Sequence, residues 1–182
     1  PSDAAVIEAI QALQQSGKRV MFYPFVLMDQ VAGNSLPDPW SDATTQPPLP
    51  WRGRITLSKA PGLPGTPDQT LAAEAEVAAF MGSATAADFT VAGGQVSYTG
   101  VADWGLRRFI LHNAALCAAA GGITAFCIGS EMRGLTQIRG LGNDMELDPG
   151  MGNCGKAGQW VPVGVGQPSV LMGGLTVGGA AI

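Results

Sequence analysis

The chain has 182 residues, 46% of them apolar and only 13% charged, which is enough for one domain with a real core, or a domain plus an appendage, and argues against global disorder. The net charge of −4, the pI of about 4.8 and scattered arginines (52, 54, 107, 108, 133, 139) exclude the clustered basic face of a nucleic-acid binder. No run approaches the ~20 apolar residues of a transmembrane helix, so no membrane segment is expected.

The N-terminus lacks the charged-then-apolar pattern of a signal peptide. It opens on Pro1 inside an amphipathic pattern, so the chain reads as a fragment or a processed product. Residues 3–16 predict a helix: Asp3 is a candidate N-cap, Val6, Ile10 and Leu13 share a face, and Gly17 is the stop. Val20 to Met28 is an apolar run of strand type that ends on Asp29-Gln30. Pro24 within it cannot donate to a ladder and needs an edge or a bulge.

Residues 31–68 hold eight of the thirteen prolines, with Trp40, Trp51, Arg52 and Arg54 interleaved. A structureless loop this long is uncommon unless functional or disordered, and the tryptophans favour a packed or ligand-facing loop. Leu71 to Met81 is helical, with Val77, Phe80 and Met81 on one face. Thr85 to Phe89 is a turn or short helical piece, Gly93-Gly94 a turn, and Gln95 to Tyr98 extended. Val101 to Ala120 is a helix whose face carries Leu106, Phe109, Ile110, Asn113 and Cys117, closed by Gly121-Gly122. His112, the single histidine, sits with Arg108 and Leu116 off that face, as a boundary residue.

Ile123 to Ile128 has the length and β-branched content of a buried strand. Gly129 and Ser130 punctuate it, and Glu131 follows. Apolar strands separated by helices imply a parallel sheet with helical crossovers, which puts Asp29 and Glu131 on the same carboxyl edge, where α/β folds place chemistry. Beyond Gly140 the sequence turns glycine-rich, with short β-like pieces and no helical period. The domain division is therefore 1–140 and a Gly-rich β or irregular appendage, 141–182.

The carboxylates Asp29 and Glu131 form a candidate pair for glycoside hydrolysis, which needs a general acid and a second carboxylate. The competing reading has them cap helices or pair with arginines such as Arg133. Trp40 and Trp51 are candidate sugar-stacking platforms, or anchors of their loop. The three cysteines, 117, 127 and 154, fit neither a disulfide framework nor a zinc site. Cys117 and Cys127 read as buried thiols. No cofactor is implied. Triad chemistry and a phosphate loop find no support in the residues.

Five segments in order resemble one known family: Phe22-Tyr-Pro-Phe-Val-Leu-Met-Asp-Gln, Leu36-Pro-Asp-Pro-Trp, Leu49-Pro-Trp-Arg-Gly-Arg-Ile-Thr, Ala87-Asp-Phe and Phe126-Cys-Ile-Gly-Ser-Glu-Met-Arg-Gly-Leu-Thr. The family is the TIM-barrel-like, glycoside-hydrolase-like domain of the tail-tip hub protein of gene transfer agents and related siphophage-like prophages. The resemblance covers about residues 1–140. It implies an α/β fold, here a partial (β/α)8 barrel, because a full barrel needs ~250 residues. It also implies a virion protein made in the bacterial cytoplasm and placed at the tail tip or baseplate, assembled as a homo-oligomer in a tail ring with other tail-tip proteins. Its role there is to engage host cell-wall glycan or to act as a peptidoglycan-degrading glycosidase. Glu131 falls at the acid/base position and Asp29 at the family's Met-Asp-Gln. Trp40, Trp51, Tyr23 and Arg133 are the expected substrate-binding residues.

Overall fold

In a computed structural model, the structure describes residues 2–129 and 131–141, together with short strands at 160–161, 169–171, 176–177 and 180–181. The architecture is mixed α/β with few strands, and the described residues form no closed barrel. The chain divides into two compact units. The first comprises Pro1–Pro24, Met81–Gly129 and Gly155–Ile182, the second Phe25–Phe80 and Ser130–Cys154. No helix among the described residues is long and apolar enough to cross a membrane.

The first unit opens with α1, Asp3–Gln15. Its cap lies one residue before the expected one. Ser2 takes an extended backbone and its hydroxyl accepts the Ala5 N–H at 3.3 Å, satisfying one of the orphan donors of the first turn. Asp3 is instead the first helical residue, and its carboxylate meets His112 Nε2 at 3.0 Å. Gly17 closes the helix at φ +75°, and Lys18 N–H returns to Leu13 O at 3.0 Å, a left-handed stop that glycine adopts without strain.

The apolar run after Arg19 is paired only over β1, Met21–Phe22. It lies parallel to β4, Ala125–Gly129, with Met21 opposite Ala125 and Phe22 opposite Phe126. Pro24 has no N–H to continue the ladder, so the expected nine-residue strand ends before it. β2, Phe89–Ala92, and β3, Gln95–Tyr98, form a hairpin. Gly93 and Gly94 turn it at φ +57° and +73°, the conformation a two-residue loop needs to match strand twist.

The long helix, α3, is Leu106–Ala119 and starts five residues later than its hydrophobic pattern suggests. Gly105 fixes the start. A Cβ there would collide with the Met81 carbonyl and Gly82, so this backbone approach is open to glycine alone. Asp103, just before it, accepts from Ser83 N–H and Ser83 hydroxyl, both at 2.7 Å. The buried residues of α3 are Ile110, Ala114, Ala115, Leu116 and Cys117. Leu116 is therefore core and not a flank residue, because the buried stripe is wider than the single face the spacing predicted. Cys117 and Cys127 are buried free thiols, and burial pushes Cys117 up to about 12. Cys154 lies outside the described residues.

β4 has a second neighbour. β6, Ser169–Leu171, runs antiparallel to it, and β5, Trp160–Val161, pairs antiparallel with β6, giving the order β1-β4-β6-β5. β7, Thr176–Val177, and β8, Ala180–Ala181, form a separate hairpin. The sheet thus holds one parallel pair, β1 with β4, where the sequence predicts a wholly parallel barrel segment. Apart from these strands, the glycine-rich stretch expected as an appendage lies outside the described residues.

The second unit is built on α2, Leu71–Met81, all but its last residue, and on the proline-rich loop. Ala73 and Val77 are buried, together with Leu57, Ala60 and Ile138. Glu76 accepts Ser58 N–H at 2.6 Å and Ser58 hydroxyl at 2.7 Å, and Glu74 accepts Leu141 N–H at 2.9 Å. The loop is ordered by side chains that replace a missing ladder. Asn34 accepts the N–H groups of Leu36 and Gln46 and donates to the carbonyls of Val31 and Gln46, using all four of its hydrogen-bonding positions.

Asp38 holds the next turn. It accepts Trp40 N–H at 3.0 Å, Ser41 hydroxyl at 3.0 Å and a bidentate Arg54 guanidinium at 2.8 and 2.9 Å. Desolvation pushes its carboxyl up, but the Trp40, Ser41 and Arg54 contacts together outweigh it and hold it below the ordinary 3.8. A carboxyl lowered in the folded state contributes stability that is complete above its ordinary value and is lost as pH falls through the folded value. Asp38→Asn is therefore expected to cost about 1–2 kcal/mol at neutral pH. The difference from wild type should shrink as pH falls below 3.8 and vanish once it is below the lowered folded value, as read by urea midpoints across pH; a difference that persists in acid would show that the charge is not its source.

Candidate functional site

Glu131 follows β4 by two residues in the chain and belongs to the second unit. Its φ is +54°, a left-handed backbone that a non-glycine residue keeps only when its surroundings impose it. The segment after it turns at once: Leu135 N–H and Thr136 N–H both bond Met132 O, at 3.1 and 3.3 Å. Gly134 N–H donates to Gly53 O at 2.9 Å. This bond joins the 131–135 turn to the short 3-10 turn Arg52–Arg54 of the loop.

Both glycines are required for that contact. A Cβ on Gly134 would overlap the Ile55 carbonyl oxygen, and one on Gly53 would enter the six-membered ring of Trp51. Trp51 thus lies across the bare Gly53 backbone. Its Nε1–H donates to Glu131 Oε2 at 3.0 Å. Arg52 Nη2 meets the same oxygen at 2.7 Å, and its guanidinium lies 4.7 Å from the centroid of the Phe25 ring, a cation–π arrangement. Four residues therefore form one cluster: Phe25, Trp51, Arg52 and Glu131. Trp51 remains 50% exposed, so its ring has surface left for a ligand.

The sequence-predicted residues fall differently around this cluster. Trp51 and Glu131 meet. Trp40 does not join them. Its ring is half-buried and its Nε1–H donates to Arg54 O at 2.7 Å, so it anchors the loop. Asp29 is exposed and makes no hydrogen bond or ion pair with the described residues, Glu131 included. Arg133 is exposed, and its side chain has no ion-pair partner among them. Tyr23 belongs to the first unit and is 38% exposed. The arginine that pairs with Glu131 is Arg52, not the near neighbour Arg133 that sequence proximity suggests. Arg52 and Phe25 carry no local signal for this role. Only the recurrence of Trp-Arg-Gly and Glu-Met-Arg-Gly segments, each with a glycine two or three residues after its functional side chain, hints that the two backbones meet.

Chemically, the cluster is an aromatic face beside a charge-paired carboxylate. A general acid must present a proton to a leaving oxygen. Oε2 of Glu131 instead already accepts from an indole and a guanidinium. Among the described residues no group of three or more His, Cys, Asp or Glu side chains could hold a metal ion.

The profile of the GTA TIM-barrel-like domain family matches residues 104–150. That stretch contains α3, β4 and Glu131. The chain is also similar, over short stretches, to proteins described as metalloprotease TldD homologues. It is 56% identical over 52 residues to the one from Buchnera aphidicola subsp. Schizaphis graminum, which is 29% of this chain and 11% of that protein. It is 49% identical over 55 residues to the one from Haemophilus influenzae, 30% of this chain and 11% of that protein. The chain spans about a tenth of the length of these relatives.

Proposed function

We propose that this chain is a structural component of a phage or gene-transfer-agent tail tip or baseplate hub, and that its second unit engages host cell-wall glycan at Trp51, Arg52 and Glu131. In the virion it works as a ring of copies alongside other tail-tip proteins. The observation that carries the glycan reading is the exposed Trp51 ring, fixed by its N–H on Glu131 and laid across Gly53. A rigid aromatic face with a polar edge suits the apolar face and hydroxyls of a sugar. The match to the GTA TIM-barrel-like domain over residues 104–150 supports the setting.

An active peptidoglycan-degrading glycosidase is the second reading, with Glu131 as general acid/base and Asp29 as the second carboxylate. The backbone strain at Glu131 (φ +54°) favours it, because such strain collects where a side chain is held for chemistry. The pairing of Glu131 with Arg52 and Trp51 favours binding over cleavage.

Both are tested with purified sacculi. Trp51→Ala is expected to weaken co-sedimentation about tenfold or more, the loss of ~1.5 kcal/mol of stacking. Unchanged binding would remove the stacking site. Reducing-sugar release by the wild type that disappears in Glu131→Gln would establish the enzyme; no release by either leaves binding as the function.

A further inference from the structure

Two hydrogen-bond donors from adjacent residues converge on one carboxylate oxygen. Trp51 Nε1 stands 3.0 Å and Arg52 Nη2 2.7 Å from Glu131 Oε2. The Arg52 side chain is only 16% exposed and stacks on Phe25, whereas the Glu131 side chain is 36% exposed. Arg52 is therefore the better-held half of its contact with Glu131. The acceptor sits on a strained backbone at φ +54° and faces solvent in part. A guanidinium held over an aromatic ring beside an N–H donor matches a carboxylate in charge and hydrogen bonding.

We infer that Trp51 and Arg52 form a carboxylate receptor which Glu131 fills in the free protein, and that the glycan bound here carries an acidic sugar whose carboxylate displaces Glu131. The inference rests on the glycan reading of the same site and names its ligand class. A neutral sugar stacks on the exposed face of Trp51 and leaves the Glu131 contact intact. An acidic sugar places its ring on the same face and its carboxylate against Arg52. Arg133, exposed and without an ion-pair partner among the described residues, adds a second cation two positions from the displaced side chain.

The test is calorimetric titration of the full chain with a glucuronate-containing oligosaccharide and with a neutral chitin oligosaccharide of equal length. Removing the internal competitor in Glu131→Gln is expected to tighten the acidic ligand and to raise the ratio of acidic to neutral affinity about tenfold. Arg52→Gln should weaken the acidic ligand far more than the neutral one. Arg52→Lys, which keeps the charge without the fork, should fall between, and circular dichroism checks that each variant is folded. Equal acidic affinity in wild type and Glu131→Gln, or acidic binding retained by folded Arg52→Gln, overturns the receptor. If the neutral ligand binds while the acidic pattern is absent, the receptor fails and the glycan site stands. Acidic binding in the expected pattern without neutral binding keeps the receptor and removes the stacking platform. No binding of either ligand to any protein overturns both.

Discussion

Replacing Arg139 with methionine is expected to destabilise the second unit by about 3–5 kcal/mol, the range for stripping the partner from a buried charge. Asp68 is the one buried charged residue among those described, with its side chain 3% exposed. Its Oδ1 accepts Arg139 N–H at 2.7 Å and its Oδ2 accepts Arg139 Nε at 3.0 Å and Nη2 at 2.5 Å. Gln69 N–H then bonds Arg139 O at 2.9 Å. This knot ties the end of the long loop to the segment that leads away from Glu131. Methionine keeps most of the volume and leaves a carboxylate with no counter-charge. The reverse change, Asp68→Asn, is expected to cost less, about 1–3 kcal/mol, because the Arg139 side chain is 42% exposed and can turn to water. Denaturant midpoints of the two variants measure the asymmetry. Equal losses would mean that the pair acts through geometry and not through the buried charge.

The helices were legible because their information is local. Val6, Ile10 and Leu13 follow one turn after another, and α1 lies within a residue of where they place it. The start of α3 was not, because it is set by the approach of Gly105 to Met81 and Gly82, a contact between distant residues. β1 shows the same limit. Composition marks Val20 to Met28 as a strand, but pairing needs N–H groups, and Pro24 withholds one. The loop's importance was visible in its tryptophans. Its order was not, since Asn34 and Asp38 work through bonds whose partners no periodicity encodes. Glu131 was picked out by its place after an apolar strand. Its partner Arg52 lay in another segment, and spacing alone offered only Arg133. A glycine two residues past Trp51 and another three past Glu131 were the available trace of that meeting, and they become informative only once a backbone contact is suspected.

That backbone contact gives the second large effect. Gly134→Ala is expected to cost about 3 kcal/mol or more, at or above the upper end for overpacking, and to abolish the proposed glycan binding with it. The added methyl would overlap the Ile55 carbonyl oxygen and lie 2.9 Å from Gly53 O. Both are main-chain atoms, so no rotamer change relieves the clash; the two turns must separate. Separation breaks the Gly134 N–H bond to Gly53 O and carries Glu131 away from Trp51 and Arg52. Gly53→Ala discriminates stability from site geometry. The atoms nearest its Cβ belong to the Trp51 side chain, which yields at lower cost than main chain, so its melting temperature should fall less than that of Gly134→Ala while the proposed sacculus binding is lost with the ring's displacement. Gly129→Ala, whose Cβ meets nothing within 4 Å among the described residues, serves as the control and should change neither. If Gly134→Ala melts and binds like the wild type, the Glu131 turn is not held by the loop, and the cluster of Phe25, Trp51, Arg52 and Glu131 cannot be a preorganised site.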